Sequence, residues 1–400
     1  MGQGGHLTIK NATPYKMVRT NQHSYQMESW NFESVIYPDE SKSIYIEWDQ
    51  GLLTKESHDS GEATYEFEGT GKTIEFQARA KPFDIRVYFQ NFETSDSANG
   101  STISLGWKHD GNLDFQVSGN ENGFYIGAQK MSDWMSDVPD NRLISELSIP
   151  GTHDSCTYTT RMPYARCQDL SLETQLNSGI RFMDIRCRHF NDSFCIHHGS
   201  VYLDKTFTDI RNICIDFLSR HKNEFIILHI KPEHDAENNH KTFDAVLNEY
   251  IRGYESYFYT SSKVPTLKEA KGKIVLLCRY SANSVGINVT PWKDDATFSI
   301  DSRFRVQDVY KVPAFFAKKW TYIKDLLEEA QKDTTGKFYL NFISGTNIES
   351  GFTAPAIIAV EQNSKLHTYL NDNRGNKKLG VVIMDFPFQE LIRDIIDSNF

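Results

Sequence analysis

Leu143-Ile144-Ser145-Glu146-Leu147-Ser148-Ile149-Pro150-Gly151-Thr152-His153-Asp154-Ser155 begins as an apolar run and breaks off into a glycine turn followed by ionisable groups. The same shape recurs down the chain. Ile180–Ile185 holds Asp184 and runs into Arg186, and Phe194–Ile196 runs into His197-His198-Gly199. Phe225–Ile230 carries His229 and leads to Lys231-Pro232-Glu233, Ile274–Leu277 leads to Arg279-Tyr280, and Val381–Met384 ends at Asp385. Phe338–Phe342 is a further run. Between them apolar residues return at helical spacing: Phe207, Ile210, Cys214, Phe217 and Leu218, then Tyr322, Leu326 and Leu327, and last Leu391, Ile392, Ile395 and Ile396. Strands separated by helices predict an α/β chain with a mostly parallel sheet. Their number suits a distorted TIM-type (β/α) barrel over residues 132–400, with some units abbreviated. A barrel gathers its active site at the C-terminal strand ends, where these charges stand. Burying so many is costly unless they pair around a polar ligand.

Residues 1–128 keep a different rhythm. Leu7 and Ile9, Tyr65 and Phe67, Ile74 and Phe76, then Ile85, Val87 and Phe89 recur at period two, punctuated by turns such as Gly69-Thr70-Gly71. That pattern predicts an all-β, sandwich-like accessory domain. It concentrates no acids, bases or nucleophiles.

Composition narrows the partners. With 43 basic against 53 acidic residues the net charge is −10, which argues against nucleic acid, whose phosphates need a basic surplus. No apolar run is long enough to span a membrane, and the first residues lack the apolar stretch of a signal peptide. The expected location is cytoplasmic, or secreted without a classical signal peptide. Six cysteines show no zinc-type spacing, and Cys187, Cys214 and Cys278 read as buried thiols.

Three motifs, Ser148–Ser155, Phe182-Met183-Asp184-Ile185-Arg186 and His197-His198-Gly199, resemble the X-domain phosphatidylinositol-specific phospholipases C, particularly the metal-independent bacterial type. Lys273–Tyr280, Val306-Gln307-Asp308-Val309-Tyr310 and Val382-Ile383-Met384-Asp385 extend the likeness over roughly 132–400. The resemblance implies cleavage of an inositol phospholipid to diacylglycerol and a cyclic inositol phosphate. It implies that His153 is the general base, oriented by Asp385, and that His198 is the general acid, held by Asp154. Arg186 would clamp the phosphoryl oxygens where calcium-dependent relatives carry a metal-ligating carboxylate, so neither metal nor cofactor is expected. Lys231, Arg279 and Asp308 match positions that hydrogen-bond inositol hydroxyls, and Tyr310 matches a ring that stacks on the sugar. The partner expected is the lipid itself, met by a monomer through peripheral contact with a membrane surface.

Two other classes compete. A metal-dependent barrel phosphodiesterase of the glycerophosphodiester or sphingomyelinase D type needs a Glu/Asp metal cluster beside its histidines, and Arg186, Arg279 and Asp308 speak against it. A catalytically inactive lipid- or glycan-binding protein would have lost a histidine or Asp385. Departures from the family pattern also bear on the site. Cys156 replaces a small glycine, which would tighten the site wall. The loop 344–354 offers Phe352 but no tryptophan for membrane insertion, which makes the N-terminal half a candidate docking element.

Overall fold

The computed structural model describes every residue except 1–2, 50, 52–57, 81, 95–96, 108, 122, 127–130, 282, 312–316 and 347–353. Phe352 and most of the segment between the two rhythms thus lie outside the described residues. The chain divides into two compact units, Met1–Met131 and Ser132–Phe400.

The first unit consists of two sheets. One orders its strands 123–126, 112–120, 5–12, 41–48 and 27–30, with 5–12 parallel to 112–120 and the other pairs antiparallel. The other orders 35–36, 17–25, 60–67, 72–79, 84–90 and 102–106, antiparallel throughout. Period two puts alternate side chains on one face. Leu7, Ile9, Ile44 and Ile46 of the first sheet therefore share a single core with Tyr65, Phe67, Ile74, Phe76 and Val87 of the second.

In the second unit seven parallel strands form the wall of a TIM-like barrel: β1 (Ser148–Thr152), β2 (Phe182–Phe190), β3 (Ile226–Pro232), β4 (Ile274–Cys278), β5 (Phe304–Asp308), β6 (Phe338–Phe342) and β7 (Gly380–Met384). Their order, β4-β3-β2-β1-β7-β6-β5, joins the end of the unit to its beginning through the β1–β7 pair. Among the described residues no ladder joins β4 to β5. That opening falls at residues 279–303, where the described residues form no helix, only a two-residue strand beside β4 and the strand 296–300, antiparallel to β5.

Helices cover the outside with the faces that their spacing predicts. Phe207, Ile210, Cys214, Phe217 and Leu218 of helix Phe207–Arg220 are buried, behind a capping box of Thr206 and Asp209. Leu391, Ile392, Ile395 and Ile396 of helix Gln389–Asp397 are buried too, each worth about 1.5–3 kcal/mol. Among the described residues no helix is long and apolar enough to cross a membrane.

Two strand readings change. Phe194–Ile196 does not add a barrel strand: Ser193–His198 folds back antiparallel on the end of β2. Asn191 and Asp192 turn the chain with φ of +52° and +53°, the paired left-handed geometry of a tight hairpin. Conversely, β5 is a wall strand in which only Phe304 and Val306 are apolar, so no apolar run announces it. The third change concerns Cys156. Its side chain is buried in the apolar cluster with Cys187 and Cys214, behind the wall and not on it.

Candidate active site

The β1–β7 register pairs Thr152 with Met384, so His153 and Asp385 leave their strands side by side. His153 Nδ1 lies 2.8 Å from Asp385 Oδ1, and the Arg186 guanidinium donates to His153 Nε2 at 2.6 Å. A nitrogen that accepts from arginine carries no proton. The proton of the neutral ring therefore sits on Nδ1, facing the carboxylate. Gln168 fixes the backbone beneath this pair, donating to the carbonyls of His153 (2.8 Å) and Met384 (2.9 Å). Burial most strongly disfavours charge on His153 and Arg186 adds to it, but Asp385 and Asp154 together outweigh them, and the ring titrates above its usual range. Gly151 is required for this approach of β1 to β2, since a Cβ there would lie 2.9 Å from Phe182 Cβ.

Asp154 is the hub. It adopts φ +44°, a left-handed conformation that aspartate tolerates better than most residues. Its Oδ2 lies 2.9 Å from Arg186 Nη1, 2.7 Å from His198 Nδ1 and 3.7 Å from His153 Nε2. The His198 contact is close but off the line of the ring N–H, an ion-pair geometry and not a hydrogen bond. It leaves His198 Nε2 for a ligand. Arg186 reaches here from β2, anchored through Nε to Asp184 Oδ2 at 3.0 Å. Burial opposes every charge in this cluster. Arg186 nevertheless holds Asp154 below the ordinary carboxylate range and Asp184 well below it, with His198 and His229 respectively adding to the effect. Asp154, Asp184 and Glu233 in turn keep Arg186 firmly charged against its own burial.

Asp184 thus serves Arg186, and its other oxygen accepts from His229 Nδ1 at 2.8 Å. His229 is fully buried between Phe182 and Trp292, which makes it a support beneath the pocket. His197 packs behind the site against His234.

A second group lies across the mouth. Arg279 stacks on the Trp292 ring at 4.2 Å, and Trp292 Nε1 donates to Asp308 Oδ2 at 2.9 Å. Arg279 Nη1 stands 4.0 Å from the same oxygen, so a donor and an acceptor are offered side by side without being consumed by each other. Lys231 is paired with Glu233 at 2.7 Å, and Glu233 also accepts from Gly199 N–H at 2.9 Å. Tyr310 follows β5, its hydroxyl donating to Asp294 at 2.9 Å and its N–H to Asp295 at 2.9 Å. Sequence reasoning passed over Trp292 and Gln168, and named Glu233 at its strand end without giving it a role. Trp292 and Gln168 stand in irregular segments that carry no periodic signal.

Among the described residues one set of side chains could hold a metal: His153, Asp154 and Cys167 present ligand atoms within 4.8 Å of one another. The fit is poor. The Arg186 guanidinium stands 2.6 Å from His153 Nε2 and 2.9 Å from Asp154 Oδ2, so a cation would meet a fixed positive charge. Burial also holds the Cys167 thiol well above its ordinary pKa, away from the thiolate a metal would need.

Residues 143–280 match the X domain of phosphatidylinositol-specific phospholipase C. The chain is 32% identical to a 1-phosphatidylinositol phosphodiesterase of Staphylococcus aureus, over 74% of this chain and 95% of the relative. It is 34% identical to one from Listeria monocytogenes, over 66% of this chain and 84% of that one. A solved structure of a pentafluoro-Phe variant of the Staphylococcus aureus phosphatidylinositol-specific phospholipase C aligns with a TM-score of 0.62 at 34% identity, covering 68% of this chain and 98% of that one. The Listeria monocytogenes enzyme aligns with a TM-score of 0.58 at 30% identity, covering 68% and 100%. Another Staphylococcus aureus structure concerns modulation of that enzyme's membrane binding. Motif, barrel and site agree, and the chain belongs to the phosphatidylinositol-specific phospholipase C X-domain family.

Proposed function

We propose that this protein is a phosphatidylinositol phosphodiesterase that cleaves its lipid to diacylglycerol and a cyclic inositol phosphate, without a metal. The observation that supports the proposal is the unbroken chain of contacts Asp385–His153–Arg186–Asp154–His198, which we read as a base, a phosphate-binding cation and an acid around one point. His153 Nε2 takes the proton of the inositol 2-hydroxyl as that oxygen bonds to phosphorus. Arg186 leaves His153 for the phosphoryl oxygens, freeing the base as it neutralises their charge. The bond from phosphorus to the diacylglycerol oxygen breaks, and His198 Nε2 supplies that oxygen with a proton. Lys231, Arg279 and Asp308 hold the ring hydroxyls, and Tyr310 packs on the sugar. All nine residues come from one unit of one chain, which supports action as a monomer. Purified protein should release inositol phosphate from phosphatidylinositol vesicles and nothing from phosphatidylcholine. Turnover of both lipids would sink the reading.

The pH profile carries a sign. Asp385 raises the His153 pKa, and a base must be unprotonated to act. Activity should therefore fall as pH drops through a value above the ordinary histidine range. In Asp385→Asn that acid limb should move to lower pH, with a much reduced maximum rate. An acid limb that stays in place would detach Asp385 from His153.

Membrane contact falls, in this reading, to the helix Pro355–Asp372 and not to the N-terminal unit, which we read as a sandwich-like accessory. The helix follows β6, so it starts at the mouth end of the barrel, and it exposes Ile357 (56%) and Val360 (72%) one turn apart. Double substitution of Ile357 and Val360 by aspartate should weaken binding to phosphatidylinositol vesicles by about tenfold or more, from the apolar area and charge involved. Cleavage of soluble cyclic inositol phosphate should be unchanged. Equal loss on both substrates would place these residues in the fold instead. The six cysteines are free and five are buried, which supports the cytoplasmic reading of location.

A further inference from the structure

Lys319 is a buried lysine that the mechanism does not use. It lies in the first turn of the helix Ala317–Lys332, is 1% exposed, and reaches inward between the ends of β5 and β6. Its Nζ donates to the carbonyls of Val309 (2.6 Å) and Phe342 (2.6 Å) and to Gln307 Oε1 (3.2 Å). Three acceptors use all three N–H bonds of an ammonium; a neutral amine would leave one acceptor unmet. All three are uncharged oxygens, so the charge is balanced only at a distance. Burial pulls the lysine down to about 7, and Asp308, Asp385 and Asp295 push back.

What the ammonium ties down is the floor of the substrate pocket. Val309 follows Asp308 directly, and its N–H donates to the same Gln307 Oε1. Gln307 Nε2 donates to Phe342 O and Asn341 Oδ1, and Asn341 Nδ2 to Ile323 O of the helix. The Phe342 ring meets His153 edge to face at 6.3 Å and Trp292 at 6.0 Å. One cation therefore sets the strand end that aims Asp308 and the ring on which His153 and Trp292 rest. We propose that Lys319 is a positioning residue for the inositol clamp, its ammonium fixing the strand ends that carry Asp308 and Phe342. This rests on the mouth being an inositol site.

The test is inositol binding, followed by calorimetry at pH 6. Lys319→Met, checked for fold by near-ultraviolet circular dichroism, should bind inositol about tenfold more weakly, within the usual range for coupled sites. KM for cyclic inositol phosphate should rise in step while kcat changes by less than about threefold, a split that uniform loosening would not give. Coupling is reciprocal, so in wild-type protein saturating inositol should raise the Lys319 titration, followed by lysine side-chain carbon resonances, by about one pH unit. That measurement decides the matter if the variant does not fold. A folded Lys319→Met with wild-type inositol affinity, or a Lys319 titration that inositol leaves in place, overturns the proposal while leaving the enzyme reading intact. Wild-type protein that binds no inositol would overturn both.

Discussion

Replacing His153 or His198 with alanine should each lower turnover of phosphatidylinositol by about two to four orders of magnitude, the span for loss of a general acid–base catalyst. The two are not interchangeable. His153 is locked between Asp385 and Arg186, with its unprotonated nitrogen toward the phosphate-binding cation. His198 meets Asp154 through Nδ1 and presents the opposite nitrogen. In the proposed mechanism the first takes a proton and the second gives one. Because both serve a single transition state, the double variant should be little worse than the worse single one. Fold should survive, since neither ring fills the apolar core. Initial rates on micellar substrate check this, and a single variant within tenfold of wild type would remove that histidine from the chemistry.

Arg186 should be at least as sensitive, and for two reasons that different substitutions separate. Its guanidinium contacts Asp154, Asp184 and His153 at 2.6–3.0 Å in a largely buried site. Arg186→Ala removes the phosphate clamp, worth about 10³ in rate by comparison with other charge-stabilising donors. It also leaves the buried Asp154 and Asp184 with only their histidine partners, His198 and His229, at a cost of about 3 kcal/mol in stability. Arg186→Lys keeps a charge and so should recover stability. It cannot make the planar fork that spans Asp154, Asp184 and a phosphoryl oxygen, so activity should remain at least about a hundredfold down. Melting temperature and turnover measured on the same samples decide it. A lysine variant restored in both would reduce Arg186 to a point charge.

Much of this site was legible because parallel strands keep chemistry and fold in register. An apolar run that stops at an ionisable residue marks a strand end, and His153, Arg186, Lys231, Arg279 and Asp385 could all be placed that way. Asp308 could not: β5 carries Gln307 and Asp308 buried in hydrogen bonds in place of an apolar run, and only the Val306–Tyr310 motif drew attention to it. His198 was placed at the mouth for an incomplete reason. It arrives on a hairpin, which Asn191-Asp192 announces as a two-residue turn. Trp292 and Lys319 were invisible for a different cause. Their importance lies in tertiary contacts from a loop and from a helix's first turn, where neither spacing nor residue type points inward.

Phosphoryl transfer by side chains alone can be tested by phosphorus NMR of a single reaction. Phosphatidylinositol should be incubated with the purified protein in excess strong chelator. The expected first product is the five-membered cyclic inositol phosphodiester, formed at the same rate with and without chelator and absent in Arg186→Lys over the same interval. Activity abolished by chelator and restored by a divalent cation, or a first product that is already the open monoester, would contradict the assignment of Arg186 and the two histidines.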